Sequence, residues 1–511
     1  MKIAFPFVLP FATAIIFSIT LPSCSKEAKK ERSLEAAMEY FKKGDFAAAE
    51  IEYKKALNSD PGNPEVIKRL GLIREGQGAH YEAGGILSQA KKKLPNDDEV
   101  GVSLARVLLA LGFFPDSRKE LLAVLDRSPS NDEALMILAE SSLTPEWMSE
   151  CEERIKKSGK KTTSTRLASA LLALRRGSAE EGAAIVEEVL QFDPKSTRAH
   201  ALKASILSSK NEPDAALAEL KIAALSAGKR SGESIAYARA LMSLKRRDEA
   251  VAYLEKITTE TPDFLPATAM LGLIAFSEKN DELATKHFTT VLSKNPVDVT
   301  SSIALSEVYV RGNQADKAVE VLEKICATLP SRPQLELALA KVYLSANRSG
   351  KAAAALDSVL ASAPEISEAG LLRAQIHLQE GKNADALSLL EGIQKREPEN
   401  AVARDLLIRA YRDAGRNDDA IVLLREKATG DDKAPAPRVE LGQLLGSQGK
   451  LDEARSIFEG ALETFPDNLA AVANLAALDI RQGKADVALK RVEDFIVASP
   501  ASSDAYALKA N

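Results

Sequence analysis

Prolines recur along this chain at a spacing of 34 residues, and no other feature restricts the possible folds as strongly. They stand at Pro61, Pro95, Pro129, Pro194, Pro262, Pro296, Pro330, Pro364, Pro398, Pro466 and Pro500. The remaining intervals of 65 and 68 residues equal two periods, in one case with three residues deleted. The 511 residues therefore predict an array of about fourteen repeats, which lengthens by addition and needs no single central core.

Other columns align once each proline is given place 32 of its repeat. The repeats then begin at residues 30, 64, 98, 132, 163, 197, 231, 265, 299, 333, 367, 401, 435 and 469. Place 20 carries a small residue such as Ala49 or Ala250, place 8 carries mostly Gly or Ala, and place 24 carries a large apolar residue such as Phe288. Small residues at places 8 and 20 let two helices approach closely, so each repeat is predicted to be a hairpin of helix A and helix B. The residue at place 24 is predicted to point toward a neighbouring repeat.

Signals for helix ends fall at fixed places as well. Glycine at place 15, as in Gly44 and Gly415, supplies the left-handed conformation that ends helix A. Aspartate at place 18, as in Asp248, stands where helix B begins and is predicted to cap free N–H groups and oppose the helix dipole. The proline at place 32 ends helix B because its ring removes a backbone donor. Aromatic residues make up only 5% of the chain, which disfavours an all-β fold.

These columns resemble the tetratricopeptide repeat, and the first repeat matches its pattern with Tyr40, Ala49, Tyr53, Ala56 and Pro61. The resemblance implies an all-α fold, a right-handed α-solenoid of about fourteen helix hairpins over residues 30–502. It also implies that helix A lines a concave groove for protein or peptide partners.

Repeats 132–162, 197–230 and 401–434 match the pattern least well. They are predicted to be either joints in the array or ordinary sequence drift. Residues 503–511 start a further helix A that is too short to cover the last repeat. Because an uncapped repeat exposes the apolar surface meant for its successor, we expect the natural product to continue beyond this point or to dock a partner or a second copy there.

The N-terminal residues have the pattern of a targeting segment. A basic start and an apolar run precede Leu21-Pro22-Ser23-Cys24, which resembles the lipobox of bacterial lipoproteins. The resemblance implies a signal peptide at 1–23, lipid attachment at Cys24 and a lipidated tether at 24–29. Ser25 after the cysteine implies sorting to the periplasmic face of the outer membrane. The alternative is an uncleaved single-pass anchor in the inner membrane, since about 20 apolar residues span a bilayer.

Residues with catalytic or metal-binding chemistry are sparse. The four histidines are His80, His200, His287 and His377, and none lies within a helical turn of another His or a Cys, so no metal site, cofactor or enzymatic activity is expected. In a solenoid each repeat contacts only its neighbours, so residues two or more periods apart are predicted not to meet, and a Cys151–Cys326 disulfide is excluded on the same ground. A net charge of −5 provides no basic excess for nucleic acid.

The remaining candidate site is the groove. By the resemblance, places 2, 5, 9, 12 and 13 face it, and they hold the basic residues Arg198, Arg239, Arg311, Lys341, Arg409 and Arg412. These cations are predicted either to bind an acidic peptide or to be scattered charges on a polar face. The family's clamp for terminal carboxylates needs Lys at place 5 and Asn at place 9, and Lys68 is followed by Leu72.

Two classes of function are consistent with these features. The first is a non-enzymatic scaffold that organises other envelope proteins, because the chain looks like the tetratricopeptide lipoproteins of exopolysaccharide and PEP-CTERM protein-sorting systems. The second is an adaptor subunit of an outer-membrane assembly, secretion or pilus machine, with the activity residing in the partner. An enzyme is the weakest interpretation.

Overall fold

The computed structural model describes residues 26–329, 332–430 and 434–510, and all regular structure in these ranges is α-helix. The predicted signal peptide, Cys24 and the start of the predicted tether lie outside the described residues. Contacts divide the chain after Gly312 into two compact bodies, called here the N-terminal body and the C-terminal body. The division falls inside the repeat that begins at 299 and in none of the three weakly matching repeats.

The N-terminal body contains α1 (Lys26–Lys42), α2 (Phe46–Ser59), α3 (Pro64–Gly76), α4 (His80–Lys93), α5 (Asp98–Ala110), α6 (Phe114–Arg127), α7 (Asp132–Ser141), α8 (Pro145–Ser158), α9 (Thr163–Arg175), α10 (Ala179–Phe192), α11 (Thr197–Ser209), α12 (Pro213–Ala227), α13 (Gly232–Ser243), α14 (Arg247–Glu260), α15 (Leu265–Ser277), α16 (Asp281–Lys294) and α17 (Val299–Arg311). The C-terminal body contains α18 (Ala315–Thr328), α19 (Pro333–Ser345), α20 (Ser349–Ser362), α21 (Ser367–Gln379), α22 (Asn383–Arg396), α23 (Ala401–Asp413), α24 (Asn417–Gly430), α25 (Ala436–Ser447), α26 (Leu451–Thr464), α27 (Leu469–Arg481), α28 (Ala485–Ala498) and α29 (Ser503–Ala510).

The helices pair as predicted, with helix A followed by helix B in fourteen successive repeats, numbered 1 to 14 below. Helix α1 begins at Lys26, four residues before the predicted start of the array. Helix α7 has only 10 residues, because repeat 4 is the one with three residues deleted. The start of a further helix A at 503–511 is present as α29.

The turn between helices A and B has the left-handed residue that the glycine column predicted. Eight glycines at place 15 have positive φ, and in the other full-length repeats the same place is left-handed without glycine, at Asn211, Lys245, Lys279, Asn313 and Asn347. Turn geometry is therefore a property of the place and not of glycine alone.

Close packing within each hairpin follows the small columns. The place-20 residues Ala49, Ala250 and Ala454 are fully buried. At place 8, a Cβ added to Gly272 would lie 2.6 Å from the ring of Phe288. The place-24 side chain thus packs on helix A of its own repeat. The predicted contact with a neighbouring repeat is also present, because Tyr53 at place 24 shares a core cluster with Val66 and Leu70 of the next repeat.

The starts of the B helices differ in one respect from the prediction. Asp248 lies in the first turn of α14, where its charge opposes the dipole, but the N-cap residue is Arg246. In α2 the N-cap is Asp45, whose side chain accepts a hydrogen bond from the Ala48 N–H. Caps therefore belong to place 16, two residues before the aspartate column.

Consecutive A helices contact one another in both bodies. Examples are the contacts of α3 with α5 and of α21 with α23. Among the described residues, consecutive B helices make no comparable contact. Helix A consequently lies on the inner side of the curvature in each body. This is the face on which the groove was predicted.

Candidate functional site

The predicted groove cations lie on helix A, and most of them are already ion-paired. Arg198 makes a bidentate pair with Glu133 through N–O distances of 2.7 and 3.0 Å. The other pairs join Arg311 to Asp281, Lys341 to Glu368 at 2.6 Å, Arg409 to Asp413 at 3.5 Å, and Arg412 to Glu440 at 2.7 Å. Arg239 is the exception, since none of the described residues forms an ion pair or hydrogen bond with it.

A partly buried charge network extends along the inner face of the N-terminal body. Arg106 pairs with Glu75 of repeat 2 and, at 3.2 Å, with Glu133 of repeat 4, which in turn holds Arg198. The hydrogen bond from Arg198 lowers the pKa of Glu133, whereas burial raises the pKa of Glu75. Arg106 occupies groove place 9, so the column that identified Arg239 could also have identified it.

Repeats 1 and 2 also meet repeats 6 to 8 directly. The Leu265 N–H donates a hydrogen bond to the Gln77 carbonyl at 3.2 Å, and Gln77 Nε2 donates to Asp263 Oδ2 at 3.5 Å. Asp263 is ion-paired with Arg230, and the guanidinium of Arg230 lies 4.9 Å from the ring centre of Phe46. These residues, together with Gly78 and Pro266, are called the seam below.

Gly78 packs closely against Pro266 in the seam. It has φ of +78°, and an added Cβ would collide with the ring of Pro266. The prediction that residues two or more periods apart do not meet is therefore wrong for the N-terminal body. Each repeat adds a small rotation to the array, and across six repeats these rotations bring repeat 8 back to repeat 2.

A cavity of about 640 Å³ opens beside the seam. Its walls are helices A of repeats 2, 3 and 7 together with the loops at the seam, and it is lined by Leu72, Glu75, Gly76, Gly78, His80, Arg106, Val107, Ala110, Arg230, Gly232, Ile235, Arg239, Phe264 and Pro266. Nine of these residues occupy groove places 2, 5, 9, 12 or 13. The cavity is thus a half-open part of the predicted groove.

Sequence reasoning identified one cation of this cavity, Arg239, and missed the others. Arg230 and Phe264 stand at place 34, between repeats, and no column marks them. These two residues line the cavity because the seam places repeats 6 to 8 against repeat 2.

Burial disfavours the charged forms of the two cysteines and of His80 in the array. Desolvation raises the pKa of Cys151 to about 12 and that of Cys326 to about 11, so both thiols stay protonated at neutral pH. Both cysteines are free. Burial also lowers the pKa of His80 in the cavity wall, which keeps its imidazole neutral near pH 7.

Within the described ranges, no three His, Cys, Asp or Glu side chains are grouped as a metal site would require. No helix in those ranges has the length and apolar content needed to cross a membrane.

Family models of the tetratricopeptide repeat match several stretches of the chain. They cover residues 33–63 and 235–264, 102–144, and 377–436 with 447–511. The model described as the second ARM domain of tetratricopeptide repeat protein 21 matches 305–381. The matches include repeats of both bodies.

Several solved structures are similar to this chain at low identity. Yeast Tom70 is 16% identical with a TM-score of 0.40, covering 87% of this chain and 98% of its own. Pseudomonas aeruginosa PilF is 20% identical with a TM-score of 0.34, covering 42% and 97%. A tetratricopeptide repeat protein from Parabacteroides merdae is 18% identical with a TM-score of 0.33, covering 55% and 99%.

Comparison with curated proteins gives no significant match. The hairpin boundaries, the small-residue columns and the family models nevertheless agree in both bodies. The chain is therefore built from tetratricopeptide repeats.

Proposed function

We propose that this chain is a non-enzymatic scaffold that holds a protein partner on its helix A face while lipid at Cys24 tethers it to the periplasmic face of the outer membrane. The observation that carries the proposal is the seam cavity, which combines an apolar wall with Arg239, a cation that no described residue neutralises. The envelope system served is one for exopolysaccharide export or protein sorting, which is supported by the architectural resemblance.

Capture of partners tests the scaffold. The tagged protein is isolated from detergent-solubilised envelope beside two variants, Arg239→Glu and Arg409→Glu. Both residues occupy place 9 of their repeats, but only Arg239 lines the cavity. We expect export or sorting components to be recovered with wild type and with Arg409→Glu, and to be lost with Arg239→Glu. Recovery of insertion, secretion or pilus components would favour the adaptor interpretation, and equal recovery with all three proteins would contradict binding at the cavity.

The tether is tested by Cys24→Ala. We expect the variant to lose lipid labelling and to remain unprocessed or become soluble, because the thiol is the site of acylation. Wild-type protein that is membrane-bound yet carries no acyl group by mass spectrometry would instead support the single-pass anchor.

Self-association through the C-terminal end is part of the same proposal. The outer surfaces of α28 and α29 expose Val497 by 82% and Tyr506 by 50%, although Ala505 and Leu508 pack on α28. A polar capping helix appended after Asn511 should lower the association measured by light scattering at several concentrations. Protein that is monomeric with and without the cap would contradict this part.

A further inference from the structure

Three arginines reach the seam cavity from two sides of the N-terminal body. Arg106 comes from α5, on the side of repeats 2 and 3, while Arg230 follows α12 and Arg239 lies on α13. Glu75 is the only carboxylate in the cavity wall. The wall therefore carries at least one arginine on each side of the contact that brings these repeats together.

The three guanidinium groups differ in how many hydrogen-bond and ion-pair partners they have. Arg106 pairs with Glu75 and Glu133. Arg230 pairs with Asp263 through one nitrogen, whereas its Nη1 is buried and has no hydrogen-bond partner among the described residues. Arg239 has no partner there at all. A buried, unsatisfied N–H group carries a desolvation cost, which an acceptor placed in the cavity would remove.

Apolar side chains form the rest of the wall, namely Leu72, Val107, Ala110, Ile235, Phe264 and Pro266. A cavity of about 640 Å³ lies in the size range of sites for small ligands or single peptide residues. An anion alone would leave this apolar surface in contact with water. An apolar group alone would leave Nη1 of Arg230 and the guanidinium of Arg239 without an acceptor.

We propose that the seam cavity binds a ligand group that carries a carboxylate beside an apolar ring, and that this group bridges Arg239 and Arg230 and thereby holds the seam closed. The inference deepens the proposed function, on which it rests for its location on the partner-binding face. The ligand group has two sources, an acidic residue followed by an aromatic residue in a partner, or a small organic acid. Both present the same chemistry.

The experiment measures binding of probes to the purified full-length chain by calorimetry. The small acid is 4-phenylbutyrate, its neutral counterpart is 4-phenylbutyramide, and the peptide probe is acetyl-Ala-Asp-Phe-Ala-amide with its Asn counterpart. Because a hydrogen bond to a charged group is worth more than one to a neutral group, we expect each acid to bind about tenfold more tightly than its amide. If only 4-phenylbutyrate binds, the source is a small organic acid, and if only the peptide binds, the source is a partner protein. Either result supports ligand binding in the cavity.

Arg239→Ala is the main variant, since Arg239 is exposed and its side chain forms no ion pair or hydrogen bond with a described residue. It should reduce binding of the acid to the level of the amide, while Arg409→Ala, the matched residue at place 9 of repeat 12, should bind as wild type does. The bound acid should also slow hydrogen exchange of the Leu265 amide, which donates across the seam.

Equal binding of acid and amide would overturn the proposal, and so would Arg239→Ala binding the acid as tightly as wild type. Unchanged exchange at Leu265 would overturn the bridging of the seam. These measurements need no partner protein, so their failure is separate from the outcome of partner capture.

Discussion

At the scale of single residues, the turn between helices A and B illustrates how one place can be filled in different ways. The left-handed conformation costs a residue with a Cβ roughly 1–2 kcal/mol. The chain uses glycine there in eight repeats but lysine at 245 and 279. The conformation is therefore imposed by the hairpin, and the lysines are tolerated because the surrounding helices already fix the turn.

Replacing Lys279 with Gly should stabilise the N-terminal body by about 0.5–1 kcal/mol, since relief of the left-handed strain exceeds the extra entropy of glycine in the unfolded chain. Urea unfolding followed by fluorescence is suitable, because Trp147 is the single tryptophan and lies in this body. The reverse change, Gly112→Lys at the same place of repeat 3, should lower stability. A loss of stability with Lys279→Gly would contradict the strain argument.

The thiols respond to burial at the same scale. Burial raises the pKa of Cys151 to about 12, so at pH 8 the folded protein has almost no thiolate to react. In a variant carrying Cys24→Ala and Cys326→Ala, a disulfide reagent should modify Cys151 rapidly only in denaturant. Modification of the native variant at the rate of a free thiol would show that the site is open.

At the scale of elements, the shortened repeat 4 is completed by its neighbour. Helix α7 ends early, and the carbonyls left at its end accept hydrogen bonds from Arg175 of α9, at 2.6 Å for Ala139, 2.7 Å for Ser142 and 2.8 Å for Glu140. Burial lowers the pKa of Arg175, but the paired carbonyls keep the guanidinium in place. A groove place thus serves the fold and not a partner.

Arg175→Met should cost about 2–3 kcal/mol of stability, because buried carbonyls lose a charged donor. The adjacent Arg176 makes a partly exposed pair with Glu152, and pairs of that kind contribute about 0–1 kcal/mol. Arg176→Met is therefore the matched control in urea unfolding monitored by Trp147. Equal losses for the two variants would show that the carbonyl contacts contribute little.

The seam makes a second prediction about elements. Gly78 and Gly112 occupy place 15 with φ of +78° and +81°, but only at Gly78 would a Cβ meet another residue, Pro266. Alanine should strain both turns alike, and Gly78→Ala should lose about 1–3 kcal/mol more through the collision. Hydrogen exchange at Leu265 should accelerate in Gly78→Ala alone, and identical behaviour of the two variants would contradict the seam.

At the scale of the whole molecule, the two bodies differ in how distant repeats are coupled. In the N-terminal body the seam joins repeats 1 and 2 to repeats 6 to 8, whereas the main helix contacts among the described residues of the C-terminal body join neighbouring repeats. In a linear array, the free energy of unfolding is approximately the sum of a contribution from each repeat and one from each interface between neighbouring repeats. The seam adds a coupling that such a model lacks.

Overpacking one hairpin in each body tests this difference. Ala284 and Ala454 are fully buried at place 20, so leucine at either position should cost about 1–3 kcal/mol. With Ala454→Leu, exchange protection should fall in repeats 12 to 14 only. With Ala284→Leu, protection should fall near repeat 8 and also in repeat 2, across the seam. Loss confined to repeats 7 to 9 would show that the seam transmits nothing.

The hairpins themselves were determined by the sequence. Proline at place 32, a left-handed residue at place 15 and small residues at places 8 and 20 act over a few ångströms, so each repeat specifies its own boundaries wherever it stands. That is why the fourteen repeats could be placed from the printed sequence, and why Ala49, Ala250 and Ala454 were recognised as tight contacts.

Only the tertiary structure decided which groove residues remain available. Arg198 and Arg239 both occupy groove places, yet Arg198 is held by Glu133 two repeats away and Arg239 is not paired. The seam likewise depends on the sum of the small rotations between successive repeats, and no single column encodes that sum. Arg230 and Phe264 reach the cavity because the accumulated rotations bring their loops to repeat 2.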